Sequence, residues 1–243
     1  MKIGVPKEIK NNEFRVSLTP ASVKILVDHS HDVYVQSMAG DAIGFTDNDY
    51  LSSGAVIVNS AKEVFESTTL IIKVKEPMPE EFKYINEKHT LFTYLHLAGD
   101  PEQAAGLVAT GATGIAYETV TADDGSMPLL APMSAIAGQL SVIVGSYHLL
   151  KPNQGMGTLI GAFADIQPRI VTVIGAGIAG TEAIDKAISN KAYLKIIDLS
   201  EKRLNELEAI YGNKNIEYIL SSELAINEAI KDSDLVIGAV YVV

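Results

Sequence analysis

The chain of 243 residues contains no cysteine, and this absence excludes several kinds of site. Disulfide bonds, thiolate-bound zinc and cysteine nucleophiles are ruled out, and we predict no metal site. Long apolar runs are absent too: none approaches the length of a membrane-spanning helix, and residues 1–10 lack the apolar stretch of a signal peptide. These absences are compatible with a reducing compartment, and we expect a cytoplasmic protein that does not contact a membrane.

Basic residues are scarce relative to acidic ones. The chain has 19 lysines and arginines against 30 aspartates and glutamates, which gives a net charge of −11. This balance argues against nucleic acids and anionic membranes as partners, although the acidity can equally serve solubility. The hydrophobic fraction of 47% and the positive mean hydropathy fit a well-packed α/β protein, and the length predicts two domains.

The first half of the chain alternates short apolar runs with helical patterns. Proline follows a capping residue at the start of two predicted helices, Pro20–Asp28 and 101–110. This alternation predicts a parallel sheet covered by helices on both faces. The predicted strands are Lys2–Val5, Asp32–Gln36, 55–58, 70–74, 90–95 and 113–117. A long apolar helix is predicted at 132–150, and we place the domains at 1–128 and 129–243.

The second domain carries a glycine motif in the context that a dinucleotide-binding fold requires. An apolar strand, Ile170–Ile174, leads into three spaced glycines and a helix, and a second apolar strand then stops at an acidic residue. The glycines allow a tight turn, a close approach to pyrophosphate and close helix packing, while the acid favours NAD over NADP. These residues are Gly175, Gly177, Gly180 and Asp198. The alternative is a Rossmann-like domain that has lost its ligand.

Two further strands are predicted in this domain, Ile216–Leu220 and 235–243, with a helix at 222–230 between them. A doubly wound dinucleotide-binding sheet has six strands, and the sequence ends before strands five and six. We therefore expect an incomplete Rossmann domain whose last strand is an exposed apolar edge that promotes association.

A candidate anion site involves basic residues near the ends of two strands. Arg15 follows the first strand and could bind a carboxylate with two hydrogen bonds, although pairing with Glu13 or Glu8 is the simpler alternative. Lys73 and Lys75 alternate at the end of strand 70–74, and a period of two puts them on one face. The alternative is a strand-end lysine that reaches into solvent.

A candidate acid–base group lies at the end of strand 90–95. Tyr94 and His96 flank Leu95, so the alternation predicts that they share a face. Histidine there suits proton transfer near neutral pH, but a lone histidine is more often structural. Its coincidence with Lys75 at a second strand end favours a site.

Several segments together resemble the N-terminal two-thirds of an alanine dehydrogenase, in order and over nearly the whole chain. They are MKIGVPKEIKNNE with Arg15-Val16, KVKEP at 73–77, LFTYLHLA at 91–98, IAYET at 115–119, LLAPMSAIAG at 129–138, the glycine motif, and DLVIGAV at 234–240. Proton-translocating transhydrogenases and saccharopine-forming enzymes share this architecture. The KVKEP and FTYLHLA segments favour alanine dehydrogenase among the three.

The resemblance implies a flavodoxin/Rossmann-like substrate domain, a truncated doubly wound NAD-binding Rossmann domain, and NAD-dependent deamination of L-alanine to pyruvate and ammonia. It implies that His96 transfers protons. The implied substrate-binding residues are Arg15, Lys75, Tyr94 and Met133. The implied cofactor-binding residues are Ser134, Gly175, Gly177, Gly180, Asp198, Arg203, Ser221, Val240 and Tyr241. It also implies a homo-oligomer, a hexamer in the family.

The sequence departs from the family pattern at a few places. After Val240 the family continues with leucine or isoleucine and then PGAKAP, whereas this chain ends at Val243. Gln139 replaces a common arginine, and AFADI at 162–166 replaces GVPGV. The family's catalytic aspartate would lie beyond residue 243, so we expect no alanine oxidation from this chain alone. The alternatives are an inactive NAD-binding fragment and one half of a split enzyme that acts as an oligomer partner.

Overall fold

A computed structural model describes residues 1–240 of the chain, which forms two compact units, Met1–Leu129 and Leu130–Val243. Each unit contains one sheet, and all of the strand pairs in both sheets are parallel. The α/β class predicted from the alternation of strands and helices is confirmed. Among the described residues, no helix combines the length and the apolar character needed to cross a lipid bilayer.

The first unit contains six strands in the order β3-β2-β1-β4-β5-β6. This is the Rossmann order, so of the two topologies implied for this domain the sheet adopts that one. The strand order reverses between β1 and β4, which makes their carboxyl ends the edge where a ligand is expected to bind. The strands are β1 (Lys2–Val5), β2 (Asp32–Gln36), β3 (Val56–Val58), β4 (Leu70–Ile72), β5 (Thr90–Thr93) and β6 (Thr113–Ala116).

The strands β4, β5 and β6 end one or two residues before their predicted ends. Apolar character continues past each strand, because residues such as Val74 and Leu95 are buried. Their N–H groups instead bond to side-chain carboxylates, as Val74 does with Glu8. The length of the buried apolar runs therefore exceeds the length of the strands. Beyond the strand ends, side-chain carboxylates accept backbone N–H groups at the edge where the candidate site lies.

Five helices surround the first sheet in the described part of the unit. The predicted caps are confirmed: Thr19 accepts a hydrogen bond from Ser22 N–H, and Asp100 accepts one from Gln103 N–H, with proline at the first helical position in each case. The helices are α1 (Pro20–Asp28), α2 (Asp47–Ser52), α3 (Ala61–Ser67), α4 (Pro79–Phe82) and α5 (Pro101–Ala109). The sheet is buried beneath them, because its inward side chains, such as Val5 and Leu91, are fully inaccessible.

The second unit contains four strands in the order β10-β7-β8-β9. This corresponds to strands 4-1-2-3 of a doubly wound sheet, so the Rossmann-like fold predicted from the glycine motif is confirmed. The elements are α6 (Ala131–Leu149), β7 (Ile170–Ile174), α7 (Ile178–Ser189), β8 (Tyr193–Asp198), α8 (Glu201–Tyr211), β9 (Ile216–Leu220), α9 (Glu223–Ile230) and β10 (Leu235–Gly238).

The strand predicted at 235–243 is wrong at Ala239 and Val240, because β10 ends at Gly238. The register explains this end: Gly238 pairs with Ile174, the last residue of β7, and among residues 1–240 one further bond, from Ala239 N–H to the Ile174 carbonyl oxygen, continues the ladder. Residues 241–243 lie outside the described part of the chain.

Small residues allow α6 to pack closely within the second unit. A side chain at Gly138 would overlap the Ala179 carbonyl oxygen of α7, and one at Gly145 would lie 2.6 Å from Leu235 Cδ1. The small residue at Gly138 therefore permits a close approach of α6 and α7. It fixes α6 against the helix that follows the glycine motif.

Candidate functional site

In the first unit, the predicted site residues follow three strands at the carboxyl edge of the sheet. Arg15 lies beyond β1, Lys75 beyond β4, and Tyr94 and His96 beyond β5. Because β1 and β4 flank the point where the strand order reverses, Arg15 and Lys75 follow the two strands that define the crevice. The sheet topology thus brings two cations and a histidine to one edge.

Arg15 is held by Glu13, which is the ion pair offered above as the alternative to substrate binding. Its Nε and Nη2 donate to the two Glu13 carboxylate oxygens over 2.8 and 2.7 Å. The hydrogen bonds from Arg15 lower the pKa of Glu13, and the positive charge of Lys75 adds to this shift. The same hydrogen bonds raise the pKa of Arg15. Lys75 therefore lies within electrostatic reach of this pair.

Tyr94 belongs to an aromatic cluster beside these charges. Its ring meets Tyr117 edge to face at 5.0 Å between centroids, Tyr117 meets Phe92 at 4.4 Å, and the Tyr94 hydroxyl donates to the Leu129 carbonyl oxygen. Burial raises the pKa of Tyr94, while the charge of Arg15 opposes the shift. Burial also raises the pKa of Tyr117. Both phenols thus stay neutral at physiological pH.

His96 lies on a left-handed turn that Glu118 holds. Its φ is 49°, and its N–H donates to Glu118 Oε1 over 2.7 Å, while the Leu95 N–H donates to the same oxygen over 3.1 Å. The exposed imidazole lies over Gly99, where an added Cβ would overlap its Nε2. Glu118 was missed at the sequence level, although it follows β6 and the strand-end rule used for Lys75 would have found it.

The two alternating lysines have different environments. β4 ends at Ile72, before both of them, so the expected alternation on one strand face does not hold. Lys73 is completely buried between Glu8 and Glu81, with 3.0 Å from its Nζ to each carboxylate. Lys75 is only partly buried. Lys75 is therefore the lysine that a ligand at this edge can reach.

In the second unit, the glycines form a tight turn after β7. Gly175 has a φ of +93°, in the left-handed region, and a side chain at Gly180 would overlap the Gly175 carbonyl oxygen. At Gly177, by contrast, an added Cβ would meet nothing within 4 Å. The backbone at Gly177 therefore borders open space just before the N-terminus of α7, where N–H groups favour an anion.

Asp198 joins this turn to the end of β8. Its Oδ2 accepts the Ala176 N–H over 2.7 Å, and its Oδ1 accepts the Ser200 N–H over 2.8 Å. Each carboxylate oxygen can accept a second hydrogen bond, so both remain able to bind ribose hydroxyls. Ser221 follows β9 at the same edge, and its N–H donates to the Asp198 carbonyl oxygen over 2.9 Å.

Arg203 braces the glycine turn from α8. Its Nε donates to the Ala176 carbonyl oxygen over 3.0 Å, its Nη2 donates to Thr181 Oγ1 over 2.8 Å, and its Nη1 bonds to Glu206. These bonds orient the guanidinium toward the turn. The family resemblance implies that Arg203 binds the cofactor, and it does not reveal these bonds to the turn.

A cavity of about 570 Å³ lies beside the turn. It is lined by Ala176, Gly177, Ile178, Thr181, Glu182, Asp198, Ser200 and Arg203. Open space above Gly177 and an acid at Asp198 fit the pyrophosphate and the ribose of a dinucleotide. Gln139, the departure from the family arginine, donates to Glu182 of the lining over 2.8 Å.

The remaining predicted site residues lie elsewhere in the second unit. Met133 and Ser134 are partly buried in the first turn of α6, where both of their N–H groups donate to the Leu130 carbonyl oxygen. Val240 lies beside Gly175, because a Cβ there would be 2.6 Å from Val240 Cγ1. Tyr241 lies outside the described residues. Within residues 1–240, no group of three or more acidic, histidine or cysteine side chains could hold a metal ion.

Two parallel sheets, one of them with a glycine turn and a terminal acid, define an α/β protein whose second unit is Rossmann-like. Family models agree: that of the alanine dehydrogenase/PNT N-terminal domain matches residues 4–137, and that of the C-terminal domain matches residues 141–243. The chain therefore belongs to the alanine dehydrogenase/PNT family, a family of oxidoreductases.

Individual relatives agree with this assignment. Alanine dehydrogenases from Methanococcus maripaludis and Staphylococcus haemolyticus are 45% and 47% identical over 242 residues, and the match covers all of this chain. The chain spans 65% and 64% of their lengths.

Solved structures show the same fold. An L-alanine dehydrogenase matches with a TM-score of 0.90 and 45% identity, over all of this chain and 66% of its own. A transhydrogenase from Sinorhizobium meliloti has a TM-score of 0.79 at 22% identity, over 98% of this chain and 69% of its own, and this shows a shared fold alone.

Proposed function

We propose that this chain provides the substrate-binding and NAD-binding residues of an alanine dehydrogenase, which converts L-alanine to pyruvate and ammonia. The observation that carries the proposal is that Arg15 and Lys75 follow β1 and β4, the strands on either side of the switch point. Two cations at that edge suit a small carboxylate substrate. The relatives described above, which are alanine dehydrogenases, support this substrate.

In this proposal, Arg15 binds the substrate carboxylate and Lys75 contacts the carboxylate and the carbonyl oxygen. The pairing of Arg15 with Glu13 orients its guanidinium before substrate arrives, and the substrate carboxylate then shares or replaces that pairing. Tyr94 and Met133 line the substrate. The neutral phenol of Tyr94 adds no charge that would repel a carboxylate.

His96 moves the protons of the reaction. L-alanine loses a hydride from its α-carbon to form an imine, water adds to give a carbinolamine, and ammonia leaves to give pyruvate. In these steps His96 takes up and returns protons at the water oxygen and at the substrate nitrogen. Its imidazole is exposed, so it can exchange these protons with solvent. NAD, when bound, supplies the hydride acceptor.

The cofactor is assigned to the second unit. Gly175, Gly177 and Gly180 form the turn for the pyrophosphate, and Asp198 binds the adenosine ribose. The other cofactor contacts are Ser134, Arg203, Ser221, Val240 and Tyr241. This makes 1–128 the substrate domain and 129–243 the NAD domain. We further propose a cytoplasmic homo-oligomer, hexameric as the family resemblance implies.

Pyruvate binding tests the substrate assignment. Calorimetry on the wild-type chain should detect pyruvate, and Arg15→Ala and Lys75→Ala should each weaken it by about tenfold or more. Lys88→Ala, at an exposed position of the same unit, serves as the matched control and should leave the affinity unchanged. Wild-type affinity in both site variants would remove these residues from the site.

Turnover tests the chemistry. In any form of the protein that oxidises L-alanine, such as one completed by the rest of the family sequence, His96→Ala should lower kcat by about 10²–10⁴-fold. NAD binding without pyruvate binding would instead favour an inactive NAD-binding fragment. Activity restored by adding a second, complementary chain would favour a split enzyme.

A further inference from the structure

Three ionisable side chains are buried together in the first unit: Glu8, Lys73 and Glu81, here called the Lys73 cluster. Lys73 Nζ lies 3.0 Å from an oxygen of each carboxylate, and the three side chains are at most 2% exposed. Glu8 comes from the segment that follows β1, and Glu81 comes from α4. The cluster therefore ties the segment that leads to Arg15 to the segment that carries Lys75.

Glu8 also holds the backbone that presents Lys75. Its Oε1 accepts the Val74 N–H over 2.6 Å and the Lys75 N–H over 3.3 Å. Both ladders of β4 end before these residues, at Ile71 with β1 and at Ile72 with β5, so neither strand pairs with residues 74 and 75. The Glu8 carboxylate accepts the hydrogen bonds that a neighbouring strand would otherwise accept.

A second side chain completes this hold. Thr93 Oγ1, at the end of β5, donates to the Lys75 carbonyl oxygen over 2.8 Å. The two sides of the Lys75 peptide are thus fixed by side chains from two different strands' ends. Lys75 itself stays partly exposed while its backbone is clamped.

Charge neutralisation alone does not account for Glu8. Glu81 by itself would balance Lys73, so Glu8 brings a second carboxylate to one buried cation. Burial accordingly raises the pKa of Glu8, although Lys73 opposes the shift. Buried ion clusters add little net stability and can often be replaced by apolar residues, so a role in fixing geometry is the better explanation.

We propose that Glu8 is a positioning residue that sets the location of Lys75 for the substrate through the Val74 and Lys75 amides. The proposal rests on the function proposed above, in which Lys75 contacts pyruvate. Misplacement of a binding group by about 1 Å can lower a rate by about 10²-fold. We therefore expect loss of the Glu8 hydrogen bonds to lower substrate affinity and rate strongly.

Glu8→Met and Glu81→Met form a matched pair for the test. Both remove one carboxylate from Lys73, at equal burial and equal distance, and both retain the other one. Only Glu8 holds the Lys75 amide, whereas Glu81 holds the Met78 N–H over 2.8 Å. We expect Glu8→Met to weaken pyruvate by about tenfold or more and Glu81→Met by no more than about threefold. Glu8→Gln, whose amide oxygen can still accept from both N–H groups while its NH2 group faces the Lys73 ammonium, should recover part of the affinity.

A measurement without ligand separates this proposal from the proposed function. Labelling by an amine-directed reagent, followed by peptide mass spectrometry, reports the accessibility of Lys75, with the highly exposed Lys202 as the internal reference. Glu8→Met should change the labelling rate of Lys75 by about threefold or more, and Glu81→Met should not. If the wild-type chain does not bind pyruvate but this labelling contrast appears, the substrate assignment fails and the positioning role stands.

Equal effects of Glu8→Met and Glu81→Met on both readouts would overturn the proposal, as would unchanged affinity and labelling in Glu8→Met. If Glu8→Met does not fold, Glu8→Asp decides the question, because it keeps the charge but is one methylene too short to reach both Lys73 and the amides. Glu8→Asp should then lose more than about threefold in pyruvate affinity. Unchanged affinity in a folded Glu8→Asp would count against positioning by Glu8.

Discussion

The Ala176 N–H donates to Asp198 Oδ2 over 2.7 Å, so the acid at the end of β8 holds the glycine turn that follows β7. One side chain thereby has two consequences for a bound nucleotide. In the proposed NAD site, it offers acceptors to the ribose hydroxyls, and it fixes the backbone beside the open space proposed for the pyrophosphate. Cofactor choice and turn geometry are therefore coupled through Asp198.

The wild-type chain should bind NAD(H) more tightly than NADP(H) by at least about tenfold, because Asp198 repels a 2′-phosphate. We expect this preference despite the nearby Arg203, because Nε, Nη2 and Nη1 of Arg203 already each donate one bond, to Ala176, Thr181 and Glu206. Asp198→Asn removes the charge but retains one acceptor, and it should narrow the preference to about threefold or less. Calorimetry with both cofactors measures this.

Glu223→Gln, an equal change of charge at an exposed position of α9, is the control and should leave the preference intact. Equal affinities for the two cofactors in the wild-type chain would refute the assignment of Asp198.

Two alanine substitutions at the glycine motif should differ in their effect on the stability of the second unit. Gly180→Ala would drive a methyl group into the Gly175 carbonyl oxygen and should destabilise the second unit by about 1–3 kcal/mol. Gly177→Ala meets no atom within 4 Å and should change stability by less than about 0.5 kcal/mol. Chemical denaturation measures both values.

Gly177→Ala should affect NAD affinity although it leaves stability unchanged. A methyl group at Gly177 would occupy the space above the backbone, so Gly177→Ala should weaken NAD by about tenfold or more without destabilising the fold. A Gly177→Ala variant that binds NAD as the wild type does would show that the pyrophosphate lies elsewhere.

Much of the fold was predictable because its signals are local. The strand Ile170–Ile174 and the turn at Gly175 are encoded in adjacent residues, and the caps at Thr19 and Asp100 lie next to the helices that they begin. The ends of β4 and β10 were overestimated, because hydropathy reports burial and does not report where the neighbouring strand stops. Ladder pairing is a tertiary property that no short window contains.

The candidate site was predictable in its residue types but not in its partners. The strand-end rule indicated Lys75 and His96, which follow β4 and β5. It did not reveal that Lys73 lies between Glu8 and Glu81, because those contacts span 65 and eight residues of sequence. Contacts between distant segments depend on the register of the whole sheet.

Glu13 should make the stability of the first unit dependent on pH. Its pKa is lowered from 4.5 by Arg15, so its ionised form stabilises the fold above pH 4.5, and this contribution is lost as the pH falls through the lowered pKa. The midpoint temperature of thermal unfolding should therefore be higher for the wild type than for Glu13→Gln. The difference should be constant near neutral pH and should shrink in acid. Glu87→Gln, at an exposed position, should show no such trend. A margin that grows in acid would contradict the sign.

Gly99→Ala should displace the His96 imidazole, because the new methyl group would overlap Nε2. The ring lies at the end of a side chain in solvent and can move, so we expect a stability change below about 0.5 kcal/mol. Imidazole NMR signals of His96 should shift, while those of the buried His89, held by the Phe65 carbonyl oxygen and the Asn86 N–H, remain in place. Unshifted His96 signals would show that the ring is not packed over Gly99.

The left-handed backbone of His96 favours glycine for folding, whereas the proposed proton transfer requires a histidine at this position. A side chain in that conformation costs about 1 kcal/mol relative to glycine, and the Glu118 carboxylate holds it there through the His96 N–H. Selection for thermal stability alone would favour glycine at this turn. A screen for stabilised variants of this chain would therefore tend to discard the imidazole, and it should be paired with a functional readout.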